Sequence, residues 1–176
     1  MMIKSLALLL FFGVASASAQ SNPFGGQSTS TETSHLSIVS SISDGIVAPG
    51  GKPVMVSFFV TPKRDMHVYA PGKHDYQVIS VSVDPQPWMK LAATVYPQSE
   101  IHEFKELNEK VEVYSKPFKL ERAVTVLSTP AAQKALEGKA SVAITGNVDY
   151  QACDEKVCYA PKKVPFKFLV DLKSGK

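Results

Sequence analysis

The sequence predicts an all-β protein folded as one antiparallel β-sandwich. Short runs rich in β-branched and aromatic residues recur along the chain and are separated by turn residues. Residues 77–83 alternate cleanly between two faces, as a half-buried strand does. Many of the 12 prolines lie at the ends of such runs, where they disturb a sheet least. Together these patterns favour a sandwich over a helical fold.

The N-terminal residues predict export. Lys4 precedes an apolar run over residues 6–14, and the small residues Ala17-Ser18-Ala19 follow it. This layout is typical of a secretory signal peptide, because the run is too short to form a stable transmembrane helix. We therefore expect residues 1–19 to be a signal peptide cleaved after Ala19, and the product to be soluble and exported.

Two further segments complete the predicted organisation. Residues 20–34 are mostly small or polar and cannot bury much apolar surface, so they predict a flexible leader. Residues 35–176 are enough for one domain with its own core. The formal net charge is only +3, and no basic run carries interleaved aromatic residues. A nucleic-acid partner is therefore not expected.

The predicted elements follow from the pattern between turn signals. One short helix is expected near residue 130, because Thr129 can cap it, Pro130 suits its first position and Gly138 can end it. Residues 99–110 are charged, have no clear period and predict a long loop. The predicted strands are 36–39, 54–60, 66–69, 77–83, 91–95, 111–114, 118–127, 140–152 and 164–172.

The two cysteines, Cys153 and Cys158, are predicted to face each other across a hairpin. Directly opposed residues of an antiparallel pair have Cα atoms about 4.5–5.5 Å apart, which suits a disulfide. In the preceding strand one parity is mainly apolar and the other mainly polar, and Cys153 shares the polar parity. We therefore expect Cys153 on the solvent side, with Cys158 exposed beside it.

Spacing alone leaves three interpretations of this pair. An isolated cysteine pair in an exported protein is most often a structural disulfide. A disulfide that closes so small a loop stabilises the fold little, however. Such a disulfide is suited to reversible reduction and reoxidation. The spacing is not that of a thioredoxin-like Cys-x-x-Cys motif. A metal site is the third interpretation, although no third ligand stands at metal spacing.

Histidines and methionines elsewhere raise the separate question of copper. Three histidines, His67, His74 and His102, accompany Met66 and Met89 in a predicted exported protein. They show no ligand spacing. We therefore predict polar loop positions for the histidines, core positions for the methionines, and neither a metal nor a cofactor.

The cysteine segment resembles a known family. Tyr150-Gln151-Ala152-Cys153, a four-residue loop and Cys158-Tyr159-Ala160-Pro161 resemble the cysteine hairpin of the N-terminal periplasmic domain of the DsbD thiol:disulfide interchange family. The resemblance extends over about residues 36–172 and is weaker before Tyr96. The loop is one residue shorter than in the best-known members. Full-length members also carry membrane helices and a thioredoxin-like domain, so we expect this chain to act as a free-standing module.

The resemblance implies an immunoglobulin-like sandwich that relays electrons. The thioredoxin-like domain of a membrane thiol reductase would reduce the Cys153–Cys158 disulfide, and the dithiol would then reduce periplasmic thioredoxin-fold oxidoreductases. Cys158 would form the mixed disulfides and Cys153 would resolve them. The alternative function is a non-catalytic binding or scaffold domain whose disulfide is structural.

The resemblance also implies a cap over the cysteines. Phe104, in His102-Glu103-Phe104, would be the lid, and Glu103 would tune the thiol pKa. Tyr69 is expected near the site. Two tyrosines that flank the hairpin cysteines, Tyr150 and Tyr159, are further candidates for capping or tuning. The alternatives are a loop anchor for Phe104 and a solvated charge for Glu103.

Overall fold

Side chains that alternate between buried and exposed along the strands produce the observed β-sandwich. The computed structural model describes residues 26–104 and 109–173, so the predicted signal peptide lies outside the described residues. In chain order the elements are β1 (Ser28–Glu32), β2 (Leu36–Ile42), β3 (Ile46–Val47), β4 (Val54–Pro62), β5 (His67–Tyr69), β6 (Ser80–Val83), β7 (Met89–Leu91), β8 (Glu100–Phe104), β9 (Glu109–Tyr114), β10 (Phe118–Val126), α1 (Pro130–Leu136), β11 (Ser141–Tyr150), β12 (Ala152–Cys153) and β13 (Lys162–Leu172). The predicted all-β, immunoglobulin-like sandwich with one short helix is confirmed.

Two sheets enclose the main core. The first has the strand order β1-β2-β4-β10-β7 and the second β3-β13-β11-β6. Strands β4, β11 and β13 bury every second residue along most of their length, so each gives one apolar face to the interior. The rings of Phe58 in β4 and Phe166 in β13 lie 4.8 Å apart between centroids. The main core is therefore the space between these two apolar faces.

A third, smaller sheet carries the cysteine end of the molecule. Its order is β12-β5-β9-β8, and its short strands bury a second group of side chains. We call this group the cysteine cluster. Its members are Tyr69, Val111, Val113 and Cys153, with Tyr76 and Phe104 packed partly buried against them.

The predicted flexible leader over residues 20–34 is wrong for residues 28–32. These residues form β1, which pairs antiparallel with β2 from Ser28 opposite Ser41 to Glu32 opposite Ser37. The side chains of β1 are mostly exposed, so backbone hydrogen bonds rather than apolar burial hold the strand in place. The sequence therefore contains no hydrophobic pattern that would reveal it.

The predicted long loop over residues 99–110 is also wrong. Strands β8 and β9 pair antiparallel there, from Glu100 opposite Val113 to Phe104 opposite Glu109. Strand β8 lies at the edge of the third sheet and none of its residues is fully buried. An edge strand of this kind lacks the apolar alternation by which a strand is recognised.

The predicted helix has the predicted ends. The hydroxyl of Thr129 accepts a hydrogen bond from the Ala132 amide at 3.3 Å, and Pro130 is the first helical residue. Gly138 has a φ of 70°, which a glycine adopts without strain just past a helix. Ala132 and Leu136 bury their side chains in the main core. Within the described residues, no helix has the length and apolar character needed to cross a membrane.

Candidate redox site

The cysteine hairpin is built from β12 and the four residues that follow it. Cys153 and Cys158 face each other as an antiparallel bridge with Cα atoms 4.1 Å apart, and their sulfurs form a disulfide. Two backbone hydrogen bonds support the turn, from the Asp154 amide to the Val157 carbonyl at 3.0 Å and from the Tyr159 amide to the Ala152 carbonyl at 2.9 Å. Local pairing alone therefore brings the two sulfurs together.

The two cysteines differ in exposure, which corrects one prediction. Cys158 is exposed as predicted, but Cys153 is fully buried rather than on the solvent side. The cause is the break after Tyr150, where β11 ends and β12 leaves the second sheet to pair with β5 of the third. The parity counted along β11 no longer applies there, and both residues of β12 are buried.

The hydroxyl of Tyr69 contacts both sulfurs. It lies 3.4 Å from Sγ of Cys153 and 3.4 Å from Sγ of Cys158. Neither sulfur of a disulfide carries a proton, so the hydroxyl is the donor in the oxidised protein. Burial raises the pKa of Tyr69 to about 12, and the nearby Tyr76 and Glu109 add to the effect. Tyr69 therefore remains a neutral hydrogen-bond donor at physiological pH.

A mainly apolar cavity of about 310 Å³ opens beside the exposed Cys158. The aromatic rings of Tyr69 and Tyr76 stack in its wall with centroids 4.3 Å apart. The hydroxyl of Tyr76 donates to Glu109 at 2.7 Å. The cavity is lined by Tyr69, Tyr76, Phe104, Asp154, Glu155, Lys156, Val157 and Cys158. The structure thus places Phe104 in the wall of the cavity that Cys158 also lines.

Two histidines also lie near the buried cysteine. His67 is directly opposite Cys153 in the β5–β12 pairing and is 3% exposed. Its ring stacks on that of His102 from β8 with centroids 5.1 Å apart. Burial lowers the pKa of His67, and the neighbouring His102 lowers it further, while Glu155 and Asp154 act in the opposite direction. His102 Nε2 lies 3.7 Å from a carboxylate oxygen of Glu155 in the hairpin loop.

These positions correct the prediction for two of the histidines. His67 and His102 lie in strands rather than in polar loops, whereas His74 lies in the connection after β5. Met89 is in the main core as predicted, and Met66 is half-buried. No three histidine, cysteine or acidic side chains are grouped to hold a metal within residues 26–104 and 109–173.

Asp154 organises the hairpin loop. Its Oδ1 accepts hydrogen bonds from the amides of Lys156 and Val157, both at 2.8 Å, and its Oδ2 accepts one from the Tyr159 hydroxyl at 2.8 Å. The Lys156 amide contributes most to a lowered pKa of Asp154, followed by the Tyr159 hydroxyl and the Val157 amide. This Asx-type turn fixes the loop that presents Cys158.

Two predicted site residues lie away from the cavity. Glu103 is exposed on the opposite face of β8 from Phe104 and forms an ion pair with Lys110 at 3.8 Å. Tyr150 is buried in the main core, and its hydroxyl donates to Thr33 Oγ1 at 2.9 Å.

Tyr159 is close to the hairpin but on its outer side. Its ring stacks on His35 with centroids 4.4 Å apart, while its hydroxyl binds Asp154. Tyr159 therefore supports the loop and does not line the cavity.

The sequence reasoning missed several residues that the fold brings to the cysteines. Tyr76, His67 and His102 come from three separate segments, so no local spacing links them to the hairpin. Asp154 had a detectable signal, because an aspartate at the start of a short loop commonly accepts hydrogen bonds from the following amides.

One family model and two solved structures are similar to this chain. Residues 47–169 match the family model "Thiol:disulfide interchange protein DsbD, N-terminal". The solved N-terminal periplasmic domain of ScsB from Proteus mirabilis aligns over 84% of this chain and 50% of its own, with a TM-score of 0.52 and 10% identity. The N-terminal domain of DsbD from Neisseria meningitidis, in its reduced form, aligns over 68% of this chain and 78% of its own, with a TM-score of 0.40 and 20% identity.

These matches differ in what they establish. The ScsB likeness, at this identity, shows the fold alone, and the chain spans half the length of that structure. No curated protein sequence matches the chain. The family model covers most of the chain and includes the whole cysteine hairpin. The chain therefore belongs to the family of DsbD N-terminal domains, and is a thiol:disulfide interchange domain with a cysteine pair that forms a disulfide.

Proposed function

We propose that this protein relays electrons in the periplasm through the Cys153–Cys158 pair. In this proposal the thioredoxin-like domain of a membrane thiol reductase reduces the disulfide, and the resulting dithiol reduces thioredoxin-fold oxidoreductases. The observation that carries the proposal is the unequal exposure of the two cysteines. Cys158 is exposed and lines an apolar cavity, whereas Cys153 is fully buried.

This asymmetry assigns an order to the exchange steps. A donor thiolate attacks Sγ of Cys158, because an attacking thiolate needs access to the sulfur. The Cys153–Cys158 bond breaks, a donor–Cys158 disulfide forms, and Cys153 leaves as a thiolate that takes up a proton. The second donor thiolate then attacks the donor sulfur of the mixed disulfide and releases Cys158 as a thiolate, which also takes up a proton. Two electrons and two protons have then entered the pair, and the donor has become a disulfide.

The reverse sequence reduces a client. The Cys158 thiolate attacks the client disulfide, and Cys153 then attacks Sγ of Cys158 to release the client dithiol. Tyr69 supports both directions, because its hydroxyl can donate to whichever sulfur is negative. Phe104 serves as the lid, since its ring lines the cavity that a partner must enter to reach Cys158.

The first test is the equilibrium redox potential of the cysteine pair in glutathione or dithiothreitol buffers, read by thiol labelling. We expect a value of about −180 to −270 mV, the range of exchangeable pairs. A value well below about −300 mV, with a large loss of stability on reduction, would make the disulfide structural and the protein a binding or scaffold domain.

Trapping distinguishes the two cysteines. In Cys153→Ala the exposed Cys158 has no resolving thiol, so mixed disulfides with the donor and client should accumulate on non-reducing gels. Cys158→Ala is the matched control, because it leaves only the buried thiol. Equal trapping by both variants would contradict the assigned order.

A further inference from the structure

The cross-strand pairing of His67 with the buried cysteine carries a further inference, which rests on the proposed function. His67 and Cys153 are directly opposed in the antiparallel β5–β12 pair, so their side chains share one face of the sheet. Both are removed from solvent, at 3% and 0% exposure. The imidazole is therefore the titratable base held across the strand from Cys153.

The His67 ring is incompletely satisfied in the oxidised protein. Its Nε2 is buried and has no hydrogen-bond partner among the described residues. Buried polar atoms of proteins are almost always paired, so such an atom calls for an explanation. A disulfide offers no proton to a neighbouring acceptor, whereas a thiol does. Reduction of Cys153 creates the donor that the oxidised site lacks.

The surroundings of His67 limit how it can carry charge. Tyr69 on the same strand is neutral and packs edge-on against the His67 ring with centroids 5.8 Å apart. His102, stacked from β8, opposes a second positive charge, while Asp154 and Glu155 of the hairpin loop favour one. In the oxidised protein burial opposes the charge most strongly, and the pKa of His67 is lowered.

Reduction reverses this balance by placing a negative charge on Cys153. A thiolate beside an imidazole raises the pKa of the imidazole, and the imidazolium lowers the pKa of the thiol by the same coupling. A buried cysteine without such a partner has a raised pKa and is a poor nucleophile at neutral pH. The resolving step of a relay requires the opposite.

We propose that His67 accepts the proton of the reduced Cys153 thiol and holds Cys153 as a thiolate. The S–H bond of Cys153 breaks, an N–H bond forms at Nε2 of His67, and no electron moves in this step. The proton returns to solvent when Cys153 attacks Sγ of Cys158 and the disulfide forms again. His67 is thus a positioning and proton-accepting residue for the resolving thiol.

The decisive measurement follows the protonation of His67 in the unmodified protein. Long-range ¹H–¹⁵N spectra recorded against pH give the pKa of each histidine in the oxidised and reduced states. We expect the His67 pKa to rise on reduction by about one unit or more. His35 is the internal control, because its ring packs on Tyr159 on the outer side of the hairpin and should titrate alike in both states. An unchanged or lower His67 pKa on reduction would overturn the proposal.

A second measurement reads the cysteine. In Cys158→Ser the thiolate absorbance of Cys153 near 240 nm is titrated with and without His67→Gln. Loss of the imidazole should raise the Cys153 pKa by about one unit or more. His74→Gln is the matched control, since His74 packs on Tyr69 at 5.4 Å but its Nε2 donates to the Ala70 carbonyl. Identical Cys153 titrations with and without His67→Gln would overturn the proposal.

The redox potential of the unmodified protein keeps the two proposals separate. An exchangeable potential with a His67 that does not respond to reduction rejects the role of His67 alone. A potential well below about −300 mV, typical of a structural disulfide, rejects the relay whether or not the His67 pKa responds to reduction.

Discussion

The main core and the cysteine cluster are both buried, but they are built from different side chains. The main core joins two broad sheets through mostly aliphatic and phenylalanine side chains. The cysteine cluster lies on the short strands of the third sheet and combines Tyr69 and Cys153 with two valines. Two histidines and an open cavity adjoin the cysteine cluster.

The difference shows that burial has two uses in one small protein. In the main core, removal of apolar area from water stabilises the fold. In the cysteine cluster the same desolvation acts on titratable groups and changes their pKa values. The lowered pKa of His67 and the raised pKa of Tyr69 both have burial as their largest cause. Changes in the two regions should therefore affect different observables.

The largest effect on stability is expected in the main core. Phe58→Ala removes a fully buried ring that packs on Phe166, and should lower the free energy of unfolding by about 3–5 kcal/mol. The redox potential of the folded protein should stay the same. Chemical denaturation and thiol labelling would measure the two quantities.

Phe104→Ala is the substitution beside the cysteine cluster that corresponds to Phe58→Ala in the main core. Phe104 is only partly buried and lines the cavity, so its loss should affect stability less than that of Phe58. The reduced thiols should oxidise several-fold faster, because the lid no longer limits access. An unchanged oxidation rate would reject the lid.

Within the cysteine hairpin, the two thiols should differ strongly in their rates of alkylation. In the reduced protein the exposed Cys158 should be alkylated at least an order of magnitude faster than the buried Cys153. Mass spectrometry after short pulses of iodoacetamide would measure both rates. Mild denaturation is the control, since unfolding should make the two rates similar. Equal rates in the native protein would contradict the asymmetry on which the exchange order depends.

A smaller effect separates two buried tyrosines. Tyr69→Phe removes the hydroxyl that contacts both sulfurs, and should raise the pKa of the Cys158 thiol and change stability by about 1 kcal/mol. Tyr114→Phe is the matched control in the main core, because the Tyr114 hydroxyl donates to the Pro97 carbonyl at 2.8 Å. The control should change stability by a similar amount without moving the thiol titration. A Cys158 pKa unchanged in Tyr69→Phe would remove Tyr69 from the mechanism.

The smallest expected effect is a pH dependence of the oxidised protein. Burial lowers the pKa of His67 and of His35 in the folded state, so the unfolded chain binds protons more readily. The stability that these histidines contribute is present above pH 6.5, their ordinary pKa, and is lost as the pH falls below it. The thermal midpoint should therefore decrease from neutral to mildly acidic pH.

His67→Gln should weaken this dependence. Glu100 should not contribute in the same window, because a hydrogen bond from Ser115 and the Lys116 ammonium hold its pKa at about 2. A thermal midpoint that stays constant from pH 7 to 5 would contradict the assignment.

The hairpin shows what local sequence can predict. Cys153 and Cys158 are separated by four residues, and direct opposition across so short a loop leaves few other pairings. The helix is predictable for the same reason, because Thr129, Pro130 and Gly138 act within their own turn. Glu103 illustrates the limit. Its distance from the cysteines depends on which face of β8 it occupies. The sequence pattern predicted no strand there, so this face could not be predicted.

The sandwich, the cysteine pair and the resemblance to the family are predictable from the sequence, because alternation, turn residues and hairpin spacing are local. Which cysteine is exposed depends instead on contacts between distant segments. Cys153 is buried because β12 leaves the second sheet and pairs with β5, a strand more than eighty residues earlier in the chain. The same pairing sets His67 opposite Cys153, and β8 and β9 add His102 and Phe104. Contacts between such distant segments depend on how whole sheets pack, and no local pattern records them.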